Sequence, residues 1–134
     1  MSTLHSYLTF NGNCREAMTF YQKCLGGQLV FETMGDSPMG AKIPYVFKPL
    51  VVQATLSVSG WTLVGSDLAN ENGLQKGNAV AMMLRCDSKE EAVDVYRKLV
   101  QNGQPTHPLE GDWFGDLVDQ FGNHWLIQFD IENY

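Results

Sequence analysis

Four side chains of this 134-residue chain carry imidazole or amide groups in or beside segments that alternate like β-strands: His5, Gln53, His124 and Gln128. Imidazoles and amides both donate and accept hydrogen bonds, so such a set could line a ligand pocket. With water completing the coordination shell, the same atoms could hold a divalent metal ion. Plain structural hydrogen bonding is the third interpretation, and the sequence leaves all three open.

Motifs for other chemistries are missing from the sequence. It contains no Gly-x-Ser-x-Gly nucleophile elbow, no phosphate-binding Gly-Lys-Ser/Thr loop and no dinucleotide-binding glycine fingerprint. Cys14 follows a predicted helix start, where the helix dipole favours a thiolate, but no histidine lies near it in sequence. We therefore interpret Cys14 as a structural thiol. Three cysteines are an odd number, and they imply no disulfide framework.

Composition and charge narrow the class of partner. Apolar residues make up 44% of the chain and charged residues 18%, as in an ordinary globular protein. No run of about 18 apolar residues and no charged-then-apolar leader is present, so the sequence predicts a cytoplasmic protein without a membrane partner. The net charge is -6, and residues 99–134 carry six acids without Lys or Arg. This balance disfavours nucleic acid, weakly favours a cationic small molecule, and fits a solvated acidic surface.

The chain contains one motif twice. Residues 13–23 are echoed 75 positions later by residues 88–98, with Glu, Ala, Tyr and Lys identical at matching positions. Each copy opens with a polar residue, Asn13 or Ser88, and a glutamate follows three positions later. This spacing predicts a capping box at the start of a helix. Two copies of one supersecondary unit, with a pocket between them, are the simplest account.

Hydrophobic periodicity predicts the elements around the two motifs. Helices are expected over about 13–25 and 88–101, and strands over 4–10, 29–34, 51–58, 61–64, 80–86, 113–119 and 125–131. Residues 35–49 are too apolar for a free linker and predict a lid or an interface arm. Pro105 and Pro108 predict a loop that contains His107. The sequence thus predicts a single α+β domain over 1–134, with module one at about 3–67 and module two at about 79–131.

Two segments, 10–27 and 114–125, give the chain a family resemblance. The first ends in Phe-Tyr-x-x-x-Leu-Gly-Gly, and the second contains Asp-Gln-Phe-Gly-Asn-His-Trp. Together they resemble the vicinal oxygen chelate superfamily of glyoxalases, bleomycin-resistance proteins and extradiol dioxygenases, especially its PhnB-like branch. The resemblance spans nearly the whole chain. It implies two tandem βαβββ modules whose mixed sheets curl around a central cavity, usually in a homodimer.

The resemblance also implies where a metal would bind. In metal-using members, a His, Gln or Glu from the first strand and a Glu from the last strand of each module supply four ligands. Aligning Leu8 with Leu84, and Gly60 with Gly122, places these residues at the four positions: His5, Val64, Ala81 and Leu126. One imidazole and three hydrocarbon side chains cannot hold a divalent ion. We expect no metal there and no cofactor, with His5 as the sole candidate ligand; a displaced metal site stays open.

Strand alternation predicts which side chains line the pocket. The expected lining residues are His5, Tyr7, Gln53, Thr55, Met83, Arg85, Trp113, Leu126 and Gln128. Parity favours Met83 and Trp113 as inward-facing, and an aromatic wall suits a planar or cationic ligand. Core filling and dimer contacts explain most of the Trp and Met side chains more simply.

Three functions are consistent with these residues. The first is a PhnB-like protein that binds a small molecule without the usual metal quartet. The second is a divalent-metal lyase, isomerase, transferase or dioxygenase that polarises vicinal oxygens and retains His5 as a ligand. The third is a non-catalytic dimeric structural or regulatory protein. Some relatives are labelled ubiquinone-pathway methyltransferases, but no cofactor-binding βαβ loop in this sequence supports that activity. Whether the protein is an enzyme stays open.

Overall fold

The computed structural model describes residues 1–68, 73–109, 111 and 113–130. The chain divides into two compact units, Met1–Gln75 and Lys76–Tyr134. Within the described residues each unit holds one α-helix and one four-stranded sheet, and the first unit also contains two 3-10 turns, Gly40–Lys42 and Tyr45–Phe47. No helix in these described ranges is long and apolar enough to cross a membrane.

Module one contains one strand before its helix and three after it. Its elements are β1 (Ser6–Thr9), α1 (Cys14–Leu25), β2 (Gln28–Thr33), β3 (Val51–Val58) and β4 (Trp61–Ser66). The sheet order is β1-β4-β3-β2, with β1 parallel to β4 and the other neighbours antiparallel.

Module two repeats this arrangement. Its elements are β5 (Met82–Cys86), α2 (Lys89–Leu99), β6 (Gln104–His107), β7 (Phe114–Val118) and β8 (His124–Phe129). The order β5-β8-β7-β6, again with one parallel pair, has the topology of module one. The predicted α+β fold of two tandem βαβββ modules is confirmed. A cavity between the modules stays a prediction.

Each helix buries the residues that the two motifs share. Ala17 and Tyr21 of α1 are fully buried, and their counterparts Ala92 and Tyr96 of α2 are buried as well. The Tyr96 hydroxyl donates to the carbonyl of Asp116 at 2.8 Å and to that of His107 at 3.3 Å. Burial of the aromatic body with a satisfied hydroxyl explains why this motif position carries tyrosine.

The two helices are capped in different ways. Ser88 accepts a hydrogen bond from the Glu91 backbone N–H at 3.1 Å, which confirms the predicted cap of α2. The predicted cap at Asn13 is wrong, because its side chain makes no cap hydrogen bond. The carboxylate of Asp67 takes its place, accepting from the backbone N–H groups of Gly12 at 3.0 Å and Cys14 at 2.9 Å. A negative charge is favourable at a helix N-terminus, so the distant residue Asp67 caps α1 in place of Asn13.

The segment predicted as a proline-bearing loop is a strand. Residues Gln104–His107 form β6, which pairs with β7 and is shifted in register before His107. Pro105 cannot donate a ladder hydrogen bond, but an edge strand tolerates it. The interpretation of His107 as a loop residue is therefore wrong, and its ring stacks on Phe114 at 4.8 Å.

Two predicted strands begin two residues later in the structure. β1 begins at Ser6, so Leu4 and His5 precede it, and Leu4 is exposed. β5 begins at Met82, so Val80 precedes it and is 81% exposed. Ile131, the expected end of the last strand, lies outside the described residues.

The hairpin between β7 and β8 follows the sequence prediction. Gly122 has φ 85° and donates to the carbonyl of Asp119 at 2.9 Å. The Asp119 carboxylate accepts from the backbone N–H groups of Phe121 at 2.9 Å and Asn123 at 3.0 Å, so it caps the turn. It also accepts from the indole N–H of Trp125 at 2.8 Å. The turn and the buried tryptophan therefore depend on one carboxylate.

Candidate functional site

The candidate site is built on the central strand of module two. Side chains of β8 alternate, and Trp125, Ile127 and Phe129 are buried in the core. The other parity places Leu126 opposite Met83 of β5, and Gln128 opposite Arg85 of the same strand. Because paired residues project to the same side of a sheet, these four predicted pocket residues share one face.

A cavity of about 240 Å³ opens at the end of this strand. The residues that line it are Arg85, Trp113, Gln128, Phe129 and Asp130. The first three are predicted pocket residues, Phe129 ends β8, and Asp130 follows it. The cavity thus combines a cation, an amide, the Trp113 ring and a carboxylate, and the buried residue Phe129 borders it.

Gln128 and Arg85 are joined by a two-point contact. With its amide oxygen facing Arg85, Gln128 accepts from the guanidinium Nε and Nη2 groups, each at 3.0 Å. This amide orientation is assigned from hydrogen bonding, because the opposite one would point an N–H₂ group at guanidinium donors. Gln128 is only 7% exposed, whereas Arg85 is exposed. A buried amide therefore fixes the orientation of a solvent-facing cation.

Arg85 has no acidic partner in the described ranges. The ion pair found there joins Lys98 and Asp94 at 2.8 Å, on the exposed side of α2. Among the residues that the structure describes, Arg85 makes no other hydrogen bond or ion pair besides its contact with Gln128. Its remaining N–H donors face the cavity side or solvent, so they are available to an oxygen atom of a ligand.

Trp113 supplies an aromatic wall of the cavity. Its indole packs edge to face against Phe114, with ring centroids 5.1 Å apart, and its carbonyl accepts from the Phe129 backbone N–H at 3.1 Å. The indole is 45% exposed. Trp113 precedes β7, so strand alternation does not fix the direction of its side chain. Phe114, the first residue of β7, pairs with Gln128 and shares its face of the sheet.

The predicted pocket residues of module one lie on its own sheet or just before it. Tyr7 pairs with Val64, which also pairs with Thr55, so these three share a face of that sheet. The amide of Gln53 donates to the Thr55 hydroxyl at 3.4 Å. His5 precedes β1 and is exposed, with Nε2 at 3.0 Å from the hydroxyl of Thr3. Tyr7, Gln53 and Thr55 therefore lie on one face of the module-one sheet, and His5 lies just before it.

The strand registers support the sequence alignment of the metal positions. Leu8 pairs with Gly65 in module one and Leu84 with Ile127 in module two, which are the partners that aligning Gly60 with Gly122 requires. The registers thus place Val64 and Leu126 at corresponding positions of the last strands, whereas His5 and Ala81 lie just before β1 and β5. Across the part of the chain that the structure describes, no three His, Cys, Asp or Glu side chains cluster closely enough to hold a metal ion.

Sequence reasoning missed Phe129 and Asp130 in the cavity. Phe129 belongs to the buried parity of β8, and Asp130 follows the last residue of that strand. Alternation applies within a strand and gives no direction for residues that border a strand end. The sequence signal that could have located the cavity is the pairing of Arg85 with Gln128. Each of these residues lies two positions after Met83 or Leu126, toward the strand end where the cavity opens.

Burial makes Cys14 and Cys86 poor nucleophiles. The three cysteines are buried and form no disulfide. Burial, with the nearby Asp67 carboxylate, raises the pKa of the Cys14 thiol to about 12. Burial, with Glu91 and Asp87, raises the pKa of Cys86 to about 12 as well. Both groups are therefore thiols at neutral pH, and the desolvation of Cys14 outweighs the helix-start effect considered from the sequence.

The duplicated topology and the position of the strands define a protein of glyoxalase/bleomycin-resistance fold. A glyoxalase/bleomycin resistance protein/dioxygenase from Alicyclobacillus acidocaldarius has the same fold, with a TM-score of 0.58 and 16% identity over 97% of this chain and 92% of that one.

The family follows from a match over most of the sequence. Residues 2–128 match the family described as 3-demethylubiquinone-9 3-methyltransferase, so the chain belongs to this family, the PhnB-like branch of the vicinal oxygen chelate superfamily. The crystal structure of protein PA1353 from Pseudomonas aeruginosa is similar, with a TM-score of 0.85 and 32% identity over 97% of this chain and 98% of that one. A PhnB protein from Bacillus cereus that carries the same family name has a TM-score of 0.74 and 24% identity over 96% and 100%. Protein YjdN of Escherichia coli is 27% identical over 92% of each chain.

Proposed function

We propose that this protein binds a small molecule in the module-two cavity and does so without the metal quartet of its superfamily. The observation that carries the proposal is the contact between buried Gln128 and exposed Arg85 at the wall of a 240 Å³ cavity. An oriented cation with unused N–H donors beside an aromatic wall is the combination of a few polar groups and apolar surface that ligand pockets use. The cytoplasm is the proposed location.

The residues at the quartet positions support metal-free binding. Val64, Ala81 and Leu126 offer hydrocarbon where oxygen or nitrogen donors are required, and His5 alone has an imidazole. A divalent ion needs three or four such donors. Methyl transfer, which the family description names, is not part of the proposal because the sequence has no glycine-rich cofactor loop.

Ligand-induced stabilisation of the purified protein tests the proposal. In a panel of metabolites and antibiotics, we expect a ligand at about ten times its Kd to raise the Tm by about 4 °C, because it binds the native state alone. Trp113→Ala should abolish this shift, whereas Trp61→Ala in module one should preserve it. A wide panel that produces no shift, or a shift that Trp113→Ala leaves intact, would contradict the proposed site.

We further propose that the protein is a homodimer that uses the segment between β2 and β3. Four apolar side chains there are exposed, and Tyr45 is 86% exposed: Met39, Tyr45, Val46 and Phe47. A contiguous exposed apolar group favours association. Light scattering should give twice the 15.0 kDa mass of one chain, and half that value for the double variant Tyr45→Glu, Val46→Glu. A monomeric wild-type protein would disprove this assembly.

A further inference from the structure

We infer that the ligand of the module-two cavity is a planar aromatic monocarboxylate, held by Arg85 through its carboxylate and by Trp113 through its ring. This inference rests on the proposed small-molecule function and assigns the chemical class of the ligand. It follows from the donors that Gln128 leaves unused, the charges around the cavity and the size of the cavity.

The geometry of Arg85 selects a carboxylate. Gln128 occupies the guanidinium edge formed by Nε and Nη2. The edge formed by Nη1 and the second hydrogen of Nη2 is left unoccupied, since Arg85 makes no further contact in the described ranges. Two parallel N–H groups on one guanidinium edge match the two oxygens of a carboxylate. Gln128 is thus a positioning residue that aims this edge.

The surrounding charges limit the ligand to one negative charge. Arg85 contributes one positive charge to the cavity wall, and Asp130 contributes one carboxylate. The whole chain carries a net charge of -6. A phosphate or dicarboxylate would bring a second negative charge to a chain of net charge -6 where Arg85 is the cation of the cavity wall, whereas a monoanion is balanced by Arg85.

The cavity wall and volume select a small planar ring. The exposed Trp113 indole lines the cavity, and Phe114 packs edge to face against this indole. Planar rings pack on such surfaces by offset stacking or edge-to-face contact. Drug-sized ligands occupy pockets of about 300–1,000 Å³. A cavity of about 240 Å³ therefore suits one or two fused rings.

Calorimetric titration with 2-naphthoate tests the inference. We expect 2-naphthoate to bind with a Kd at or below about 1 mM, the affinity that an efficient ligand of this size reaches. The neutral analogue 2-naphthamide and the non-planar cyclohexanecarboxylate should each bind at least about tenfold more weakly, since each lacks one of the two contacts.

Variants of Arg85 separate a specific contact from a general field effect. Arg85→Gln should weaken 2-naphthoate at least about tenfold, and Arg85→Lys should also weaken it because lysine cannot form the two-point contact. Arg97→Gln, which removes an exposed cation from α2, should change the Kd less than about twofold. Circular dichroism and the Tm confirm that each variant is folded.

The outcomes distinguish this inference from the proposed function. No binding of 2-naphthoate at 5 mM (a concentration about five times the expected Kd), equal binding of 2-naphthamide, or an equal effect of Arg97→Gln would each overturn the ligand class. If members of the metabolite panel still stabilise the protein through Trp113, the proposed function stands while the ligand class fails. If nothing binds, both fail.

Discussion

Asp119→Ala is expected to lower the free energy of unfolding by about 5 kcal/mol, because a charge-assisted hydrogen bond contributes at least about 1.5 kcal/mol and three are lost. The carboxylate is 3% exposed and accepts from two backbone N–H groups of the β7–β8 turn and from the Trp125 indole. Alanine would leave a buried indole N–H without an acceptor. Urea unfolding followed by circular dichroism measures the change.

Two further variants locate this effect. Asp119→Asn keeps one acceptor oxygen and turns an N–H₂ group toward a donor, so about half the loss is expected. Asp94→Ala removes an exposed acid that pairs with Lys98, and it should cost less than about 1 kcal/mol. Equal losses for Asp119→Ala and Asp94→Ala would show that the three hydrogen bonds do not stabilise the turn.

Asp67→Ala is expected to cost about 3 kcal/mol for a similar reason. One oxygen accepts from Gly12 and Cys14 at the start of α1, and the other accepts from the Val51 backbone N–H at 2.9 Å. One carboxylate therefore joins the helix start to the beginning of β3. Loss of these bonds leaves the backbone N–H groups of Cys14 and Val51, both buried residues, without acceptors.

Asn13→Ala is the matched control for Asp67. Because the Asn13 side chain makes no cap hydrogen bond, its removal should cost less than about 0.5 kcal/mol. In module two the residue that corresponds to Asn13 is itself the cap. Ser88→Ala should therefore cost about 1 kcal/mol. A larger loss for Asn13→Ala than for Asp67→Ala would contradict this assignment.

The contrast between Asn13 and Asp67 shows what the sequence could and could not predict. The helix of each motif was predictable because its periodicity and its ends are local properties. The capping acid of α1 lies 53 residues from Cys14, so no local spacing indicates it. The same limit applies to β6, where two prolines indicate a loop unless the partner strand β7 is known.

The candidate site was predictable to the extent that strand alternation determines it. Arg85 and Gln128 follow from parity, because both lie inside strands that pair residue by residue. Trp113 and Asp130 border strand ends, where direction depends on the turn and on packing. The orientation of the Arg85 guanidinium depends on the amide of Gln128, which is distant in sequence. Only the three-dimensional structure shows this contact.

Metal analysis of protein purified without chelators tests the central claim most directly. Inductively coupled plasma mass spectrometry should find Zn, Ni, Mn and Fe each far below one ion per chain, because Val64, Ala81 and Leu126 offer no donor atoms beside His5. His5→Ala should leave these values unchanged, as should His124→Ala. A near-stoichiometric metal that is lost in His5→Ala and retained in His124→Ala would contradict the metal-free account.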